Sequence, residues 1–218
     1  GEIMIMATEK QRAEIDNHTM KFIVGIIAIS LAYLTEKFAA KPLASISASY
    51  WDEGLWSGNI FVGFLFAISA FLLSYNGNDK WEKWMSKVAA LAAICVAMFP
   101  CGCDNHPQII PMVHYIAAAV MFSILAVFCY FFFLRAWKKT WVQARTRAAL
   151  YGVCGIAIIL AMASMVVNHL MDDALSNSFP QFTFYAEATG LVAFGIAWLT
   201  ASRILPYLTR SDEKLSIL

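Results

Sequence analysis

Three of the four histidines in the chain, His106, His114 and His169, fall at those ends of the apolar runs where acids and thiols also collect. The segment Pro100-Cys-Gly-Cys-Asp-Asn-His-Pro holds Cys101, Cys103, Asp104 and His106, and His169 is followed by Asp172 and Asp173. Imidazole nitrogen and carboxylate oxygen are good zinc ligands, and a catalytic zinc keeps three protein ligands and a water. His114, His169 and Asp104 make the first candidate set, with Asp172 or Asp173 as a further ligand or as the group that orients one. A zinc held there would lower the pKa of its water to about 7 and supply a nucleophile for an ester or amide. Glu187 lies inside an apolar run, where an ionisable group is costly, and is the candidate general base. Asp172 and Asp173 follow His169 by three and four residues, which puts them on its face if the helix continues that far. The alternative is that these groups only hydrogen-bond one another and plug a helical bundle. The ring closed by Cys-Gly-Cys is tight, so free thiols are expected at Cys101 and Cys103, ahead of metal binding.

Elements that could position such groups are plain in the composition. Of 218 residues, 60% are hydrophobic and 14% charged, with a net charge of +1. Soluble domains run at roughly 45–50% apolar and about 25% charged, so a disordered chain and a water-soluble globule are both disfavoured. A nucleic-acid partner is disfavoured too, since no strongly basic balance is present. A helix needs roughly 20 mostly apolar residues to cross a bilayer. Six runs qualify, over about 20–38, 56–75, 84–100, 111–134, 148–170 and 182–205. They predict an all-α fold, a single six-helix transmembrane domain over 1–218. The Asn76-Gly-Asn-Asp turn ends the second run, and Pro111 suits the first turn of the fourth. The first run lacks a small-residue cleavage pattern behind a short apolar core, so it is expected to be retained. Gly58 and Gly63 on the second run, and Gly152 and Gly155 on the fifth, predict close helix approach.

Positive charge fixes the expected orientation, because cytoplasmic segments retain Lys and Arg. With both termini inside, 14 of the 16 Lys and Arg residues are cytoplasmic, against 8 of the 15 acids. The inner side then carries +6 and the outer side −5. The basic stretch Arg135 to Arg147 reads mainly as a topology determinant, with a minor share for anionic lipid headgroups. All of the candidate zinc ligands and Glu187 fall at the outer ends.

Several phrases carry a resemblance. Ser45-Ile-Ser-Ala-Ser-Tyr-Trp before the second run, Asn59-Ile-Phe-Val-Gly within it, Met98-Phe-Pro, His114, and Glu187 with Phe194-Gly-Ile-Ala-Trp resemble a loose six-span family. That family groups bacterial membrane proteins with the damage-regulated autophagy modulators and the Frag-type proteins of GPI-lipid remodelling. The resemblance implies lipid handling, with a membrane lipid as partner, and a bacterial inner-membrane location. Ser47 or Ser49 with Asp104, His114 and His169 is also similar to the Ser, Asp and His set around zinc in the CREST membrane hydrolases. Those proteins have seven spans and a paired histidine on the last, which this chain lacks. The expected function is therefore a lipid-handling membrane protein with an outer His and acid site, with a metal-dependent hydrolase as its enzymatic form. The alternatives are a non-enzymatic lipid-binding or structural protein and, third, a small channel or transporter.

Overall fold

The computed structural model describes residues 2–54, 56–103 and 106–210, with side chains from Asn17 onward. Asp104 therefore lies outside the described residues. Seven α-helices form: α1 (Glu2–Lys37), α2 (Ser57–Ser74), α3 (Lys80–Met98), α4 (Val113–Trp137), α5 (Val142–Leu170), the short α6 (Ala174–Ser178) and α7 (Phe182–Ala201). A 3-10 turn covers Ser47–Trp51, and the described residues contain no strand. Five of the helices are long and apolar enough to cross a membrane: Asn17–Lys37 within α1, then α2, α4, α5 and α7. The expected third span, α3, has 19 residues but opens with Lys80, Glu82, Lys83 and Lys87, which take it below that standard.

Outward faces carry the membrane argument further than composition does. On α5, Val153, Ile156 and Leu160 are 66%, 59% and 62% exposed. A helix with one apolar stripe against a core would show polar residues there, whereas a helix in lipid has no reason to. The long helices pack in a closed ring, α1 on α2, then α3, α4, α5 and α7, with α7 returning to α1. Inside it Trp198, Tyr75, Phe128 and Phe194 are fully buried. Trp198 stands 5.4, 5.9 and 5.1 Å from the other three rings, within the range of favourable aromatic pairs.

Local chemistry explains where the helix ends depart from the runs. Asp79 caps α3 by accepting from the Glu82 N–H at 2.9 Å, while the Glu82 carboxylate reaches back to the Asn78 N–H at 2.7 Å. That is a near relative of the capping box, and Gly77 supplies the positive φ, +64°, that the turn needs. Because the capped start lies at Lys80, Lys87 is two turns into α3, where its ammonium caps the C-terminal carbonyls of Leu73 and Tyr75. α4 begins at Val113 instead of Pro111, since Met112 takes φ +66° and gives its N–H to Gln108 Oε1 at 2.6 Å. α5 starts at Val142, absorbing Arg145 and Arg147 into the helix and shortening the basic loop. α7 stops at Ala201, where Ser202 Oγ bonds the Leu199 carbonyl at 2.6 Å and Arg203 turns to φ +56°.

One close backbone-to-backbone helix crossing is not marked by the sequence pattern. A Cβ on Gly195 of α7 would lie 2.8 Å from the Gly25 carbonyl, and one on Gly25 of α1 would lie 2.9 Å from the Gly195 carbonyl. Gly63 was expected at a close approach but has nothing within 4 Å, and Gly152 meets only Phe133 at 3.7 Å. Gly155 is in closer contact, 3.3 Å from Cys129 Cβ.

Candidate functional site

Segment 38–54 folds over one end of the bundle, and its backbone is the reason Glu187 matters. Glu187 sits in the second turn of α7. Its carboxylate accepts from the Ile46 N–H at 2.5 Å, the Ser47 N–H at 3.4 Å and Ser47 Oγ at 3.2 Å. One turn earlier the Phe184 N–H donates to the Ala44 carbonyl at 2.9 Å, a second tie between α7 and the cap. Within the cap, Ser45 Oγ accepts from the Ala48 N–H at 3.0 Å, and Ser49 Oγ donates to the Ile46 carbonyl at 2.5 Å. Ser57 Oγ on α2 donates to the Thr35 carbonyl of α1 at 2.8 Å. Almost every buried polar group here therefore has a partner, as burial demands.

Beneath this cap is a small cavity of about 30 Å³, lined by Ser47, Glu187, His114 and apolar residues from α1 to α4 and α7. Its volume is on the scale of a single water. His114 is buried in the first turn of α4, and its Nδ1 lies 2.8 Å from the Phe99 carbonyl, so that ring edge is occupied. No Lys or Arg lines the cavity. Three of the expected residues thus meet: Glu187, Ser47 and His114. Ser49 is buried but its hydroxyl is turned onto Ile46.

The other expected residues go elsewhere. His169 is exposed in the last turn of α5. The helix ends at Leu170, and Asp172 and Asp173 take φ +51° and +58°. A helical backbone has φ near −63°, so the three- and four-residue spacing no longer places their carboxylates along His169. Asn168 organises that corner, receiving the Leu175 and Ser176 N–H groups at 3.0 and 3.1 Å and giving its own N–H to Asp173 at 3.1 Å. Among the described residues no three His, Cys, Asp or Glu side chains gather as a metal-ligand set. Cys101 and Cys103, expected as free thiols, are joined in a disulfide. The Trp51 indole donates to the Cys101 carbonyl at 2.9 Å and stacks on the exposed His106 ring at 4.3 Å, which holds this loop against the cap.

The opposite end of the bundle is built differently, and the sequence reading had no site there. A cavity of about 310 Å³ opens between the middle of α1, at His18 and Lys21, and the ends of α4, α5 and α7. Lys21, Arg135, Lys138, Lys139, Arg147 and Arg203 line it, with His18, Asn78, Tyr151 and Phe132. Arg135 is paired with the fully buried Glu82 of α3. Tyr75 lies at that pair, its hydroxyl 3.5 Å from the Glu82 carboxylate. The signal available in sequence was Lys21, a lone cation near the start of an apolar run with His18 one turn before it. Read as a topology marker, it hid the convergence with Arg203, 182 residues later.

Neither family models, nor curated proteins, nor solved structures match this chain.

Proposed function

We propose that this integral membrane protein binds a lipid or lipid-like ligand without transforming it at the capped end. The observation that carries the reading is the occupied state of Glu187, whose carboxylate is already spent on three donors of the cap. A general base must be within hydrogen-bond reach of the proton it takes, and a cavity of about 30 Å³ admits no acyl chain beside this one. The lipid part of the reading is supported by the outward-facing apolar helices and by the resemblance of Ser45 to Trp51, His114 and Glu187 to the lipid-remodelling family. We orient the basic end toward the cytoplasm on the positive-inside rule, which puts the cap at the outer leaflet.

A second reading keeps the enzyme. Ser47 Oγ lies 3.2 Å from Glu187 Oε1, and His114 lines the same cavity, so a hydroxyl, a carboxylate and an imidazole share one space. In that version the cap lifts to admit a lipid ester or amide, with zinc supplied through His114 and Asp104. Lipid extracted with detergent-purified protein decides between them when it is followed over time with and without chelator. Binding alone is expected: the lipid stays intact, chelator changes nothing, and Ser47→Ala and His114→Ala retain it. Turnover that Ser47→Ala and chelator both abolish, while His169→Ala leaves it intact, would overturn the binding reading in favour of the enzyme.

A further inference from the structure

We propose that the cavity at the basic end is a binding site for a phosphate oxyanion, carried by a lipid headgroup or free in solution. This goes beyond the reading above and does not depend on it, since it concerns the other end of the bundle.

The composition of the lining is the first ground. Six cationic side chains from four parts of the chain face one space of about 310 Å³, and among the described residues no Asp or Glu lines it. Glu82 stands behind, committed to Arg135, to the Asn78 N–H and to the Tyr75 hydroxyl. Arg147 donates to the Leu208 carbonyl at 2.5 Å, and both it and Lys139 have further partners. The charge left to a ligand is therefore that of Lys21, Lys138 and Arg203, with the remaining donors of Arg135. These like charges repel one another, so folding alone gives no reason to bring them together.

Lys21 is the second and independent ground. Its residue is only 6% exposed and lines the cavity, no hydrogen bond from its ammonium is found among the described residues, and the nearby Glu82 carboxylate is committed to Arg135. What it has are the faces of Tyr75 and Phe132, with Nζ at 5.4 and 5.5 Å from the ring centres. Cation–π contact offsets part of the lost hydration and leaves the three N–H donors unanswered. An oxyanion in the cavity answers them. Phosphate suits the set best, because guanidinium donors from Arg135 and Arg203 match its oxygens in pairs while Lys21 and Lys138 act as point charges. The cavity is at the small end of ligand sites, enough for a headgroup and not for its acyl chains. Basic pockets between helix ends at a membrane surface are where phosphate headgroups bind.

The test uses the full chain in a neutral detergent, followed by thermal unfolding. Inorganic phosphate is compared with chloride at equal ionic strength, and dihexanoyl phosphatidic acid with dihexanoylglycerol. A rise in Tm with the phosphate-bearing probe alone is expected for the wild type. Lys21→Met should raise Tm in the absence of probe, because it removes a desolvated charge, and weaken the apparent affinity at least tenfold. A merely structural lysine would lower Tm on replacement. Arg203→Gln and Lys138→Gln, at the more exposed wall, should each weaken binding, whereas Lys37→Met at the far end of α1 should not. A response to phosphatidic acid and not to inorganic phosphate identifies a lipid headgroup, and equal responses identify the free oxyanion. If neither phosphate probe moves the wild type, or if Arg203→Gln and Lys138→Gln bind as the wild type does, the proposal fails whether or not Lys21→Met folds.

Discussion

Replacing Glu187 tests the account of the cap most directly. In Glu187→Ala the Ile46 N–H loses the acceptor it holds at 2.5 Å, and it has no other partner. Leaving one buried N–H unsatisfied costs about 1–3 kcal/mol. The Ser47 N–H contact is long, at 3.4 Å, and Ser47 Oγ can fall back on Ser45 Oγ at 3.2 Å, so together they add about 1 kcal/mol. The total is about 2–4 kcal/mol, and it falls on the cap, because the Phe184 to Ala44 bond still ties that segment to α7. At 1.4 kcal/mol per tenfold, amide exchange over 45–49 should speed up by about 30- to 700-fold, with the helix interiors little changed. Glu187→Gln is the informative companion. Its amide oxygen can still accept from the Ile46 N–H, and the Ser47 hydroxyl can turn to accept from the amide nitrogen, so the loss should stay below about 1 kcal/mol. Hydrogen exchange read by mass spectrometry on the detergent-solubilised chain resolves both variants. Unchanged exchange at 45–49 in Glu187→Ala would refute the latch, and equal damage in the two variants would show that charge, not hydrogen bonding, holds the cap.

Two further outcomes follow from other parts of the structure. Arg135→Met strands the fully buried Glu82 and should destabilise by about 2–3 kcal/mol, below the usual cost of breaking a buried pair because Arg135 is partly exposed; Glu82→Met with Arg135→Met should recover most of it, as read by denaturant unfolding. Gly195→Ala sets a methyl 2.8 Å from the Gly25 backbone and should lower thermal stability, whereas Gly63→Ala, with nothing within 4 Å, should be neutral or raise it by up to about 1 kcal/mol through helix propensity.

Glu187 was legible because an acid in an apolar run is an anomaly that sequence displays, but its partner was not. The partner is the backbone of Ile46 and Ser47, and a main-chain N–H has no residue type to betray it. The five apolar spans and the Asn76 to Asp79 turn were legible for the same kind of reason, since each depends on local composition. A shared face for His169 with Asp172 and Asp173 was conditional on a continuing helix, and the helix ends at Leu170 before two consecutive positive-φ residues. The Gly25 and Gly195 crossing was hidden because one glycine lies on each helix, and neither forms a stripe with its own neighbours. Arg135 to Arg147 was read as a topology determinant along the chain, and a reading along the chain is blind to Lys21 and Arg203 arriving from other helices.

The two ends of the bundle therefore differ in what their polar groups still need. At the cap, Glu187, Ser45, Ser47, Ser49, Ser57 and Asp52 all have partners within the chain, so a ligand entering there must first break bonds. At the basic end, the ammonium groups of Lys21 and Lys138 and the guanidinium of Arg203 have no acceptor among the described residues, so a ligand entering there supplies bonds that those residues leave unmade. Binding free energy comes from the difference between those states, and that difference favours an anion at the basic end over any polar guest at the cap. The same two helices frame both. α1 carries Lys21 four residues before its Gly25 crossing, and α7 carries Glu187 eight residues before Gly195, with Arg203 just beyond its end. Because the backbones touch at that crossing, neither helix can slide there without strain, and the spacing between cap and cavity is held at a contact with no room for a side chain.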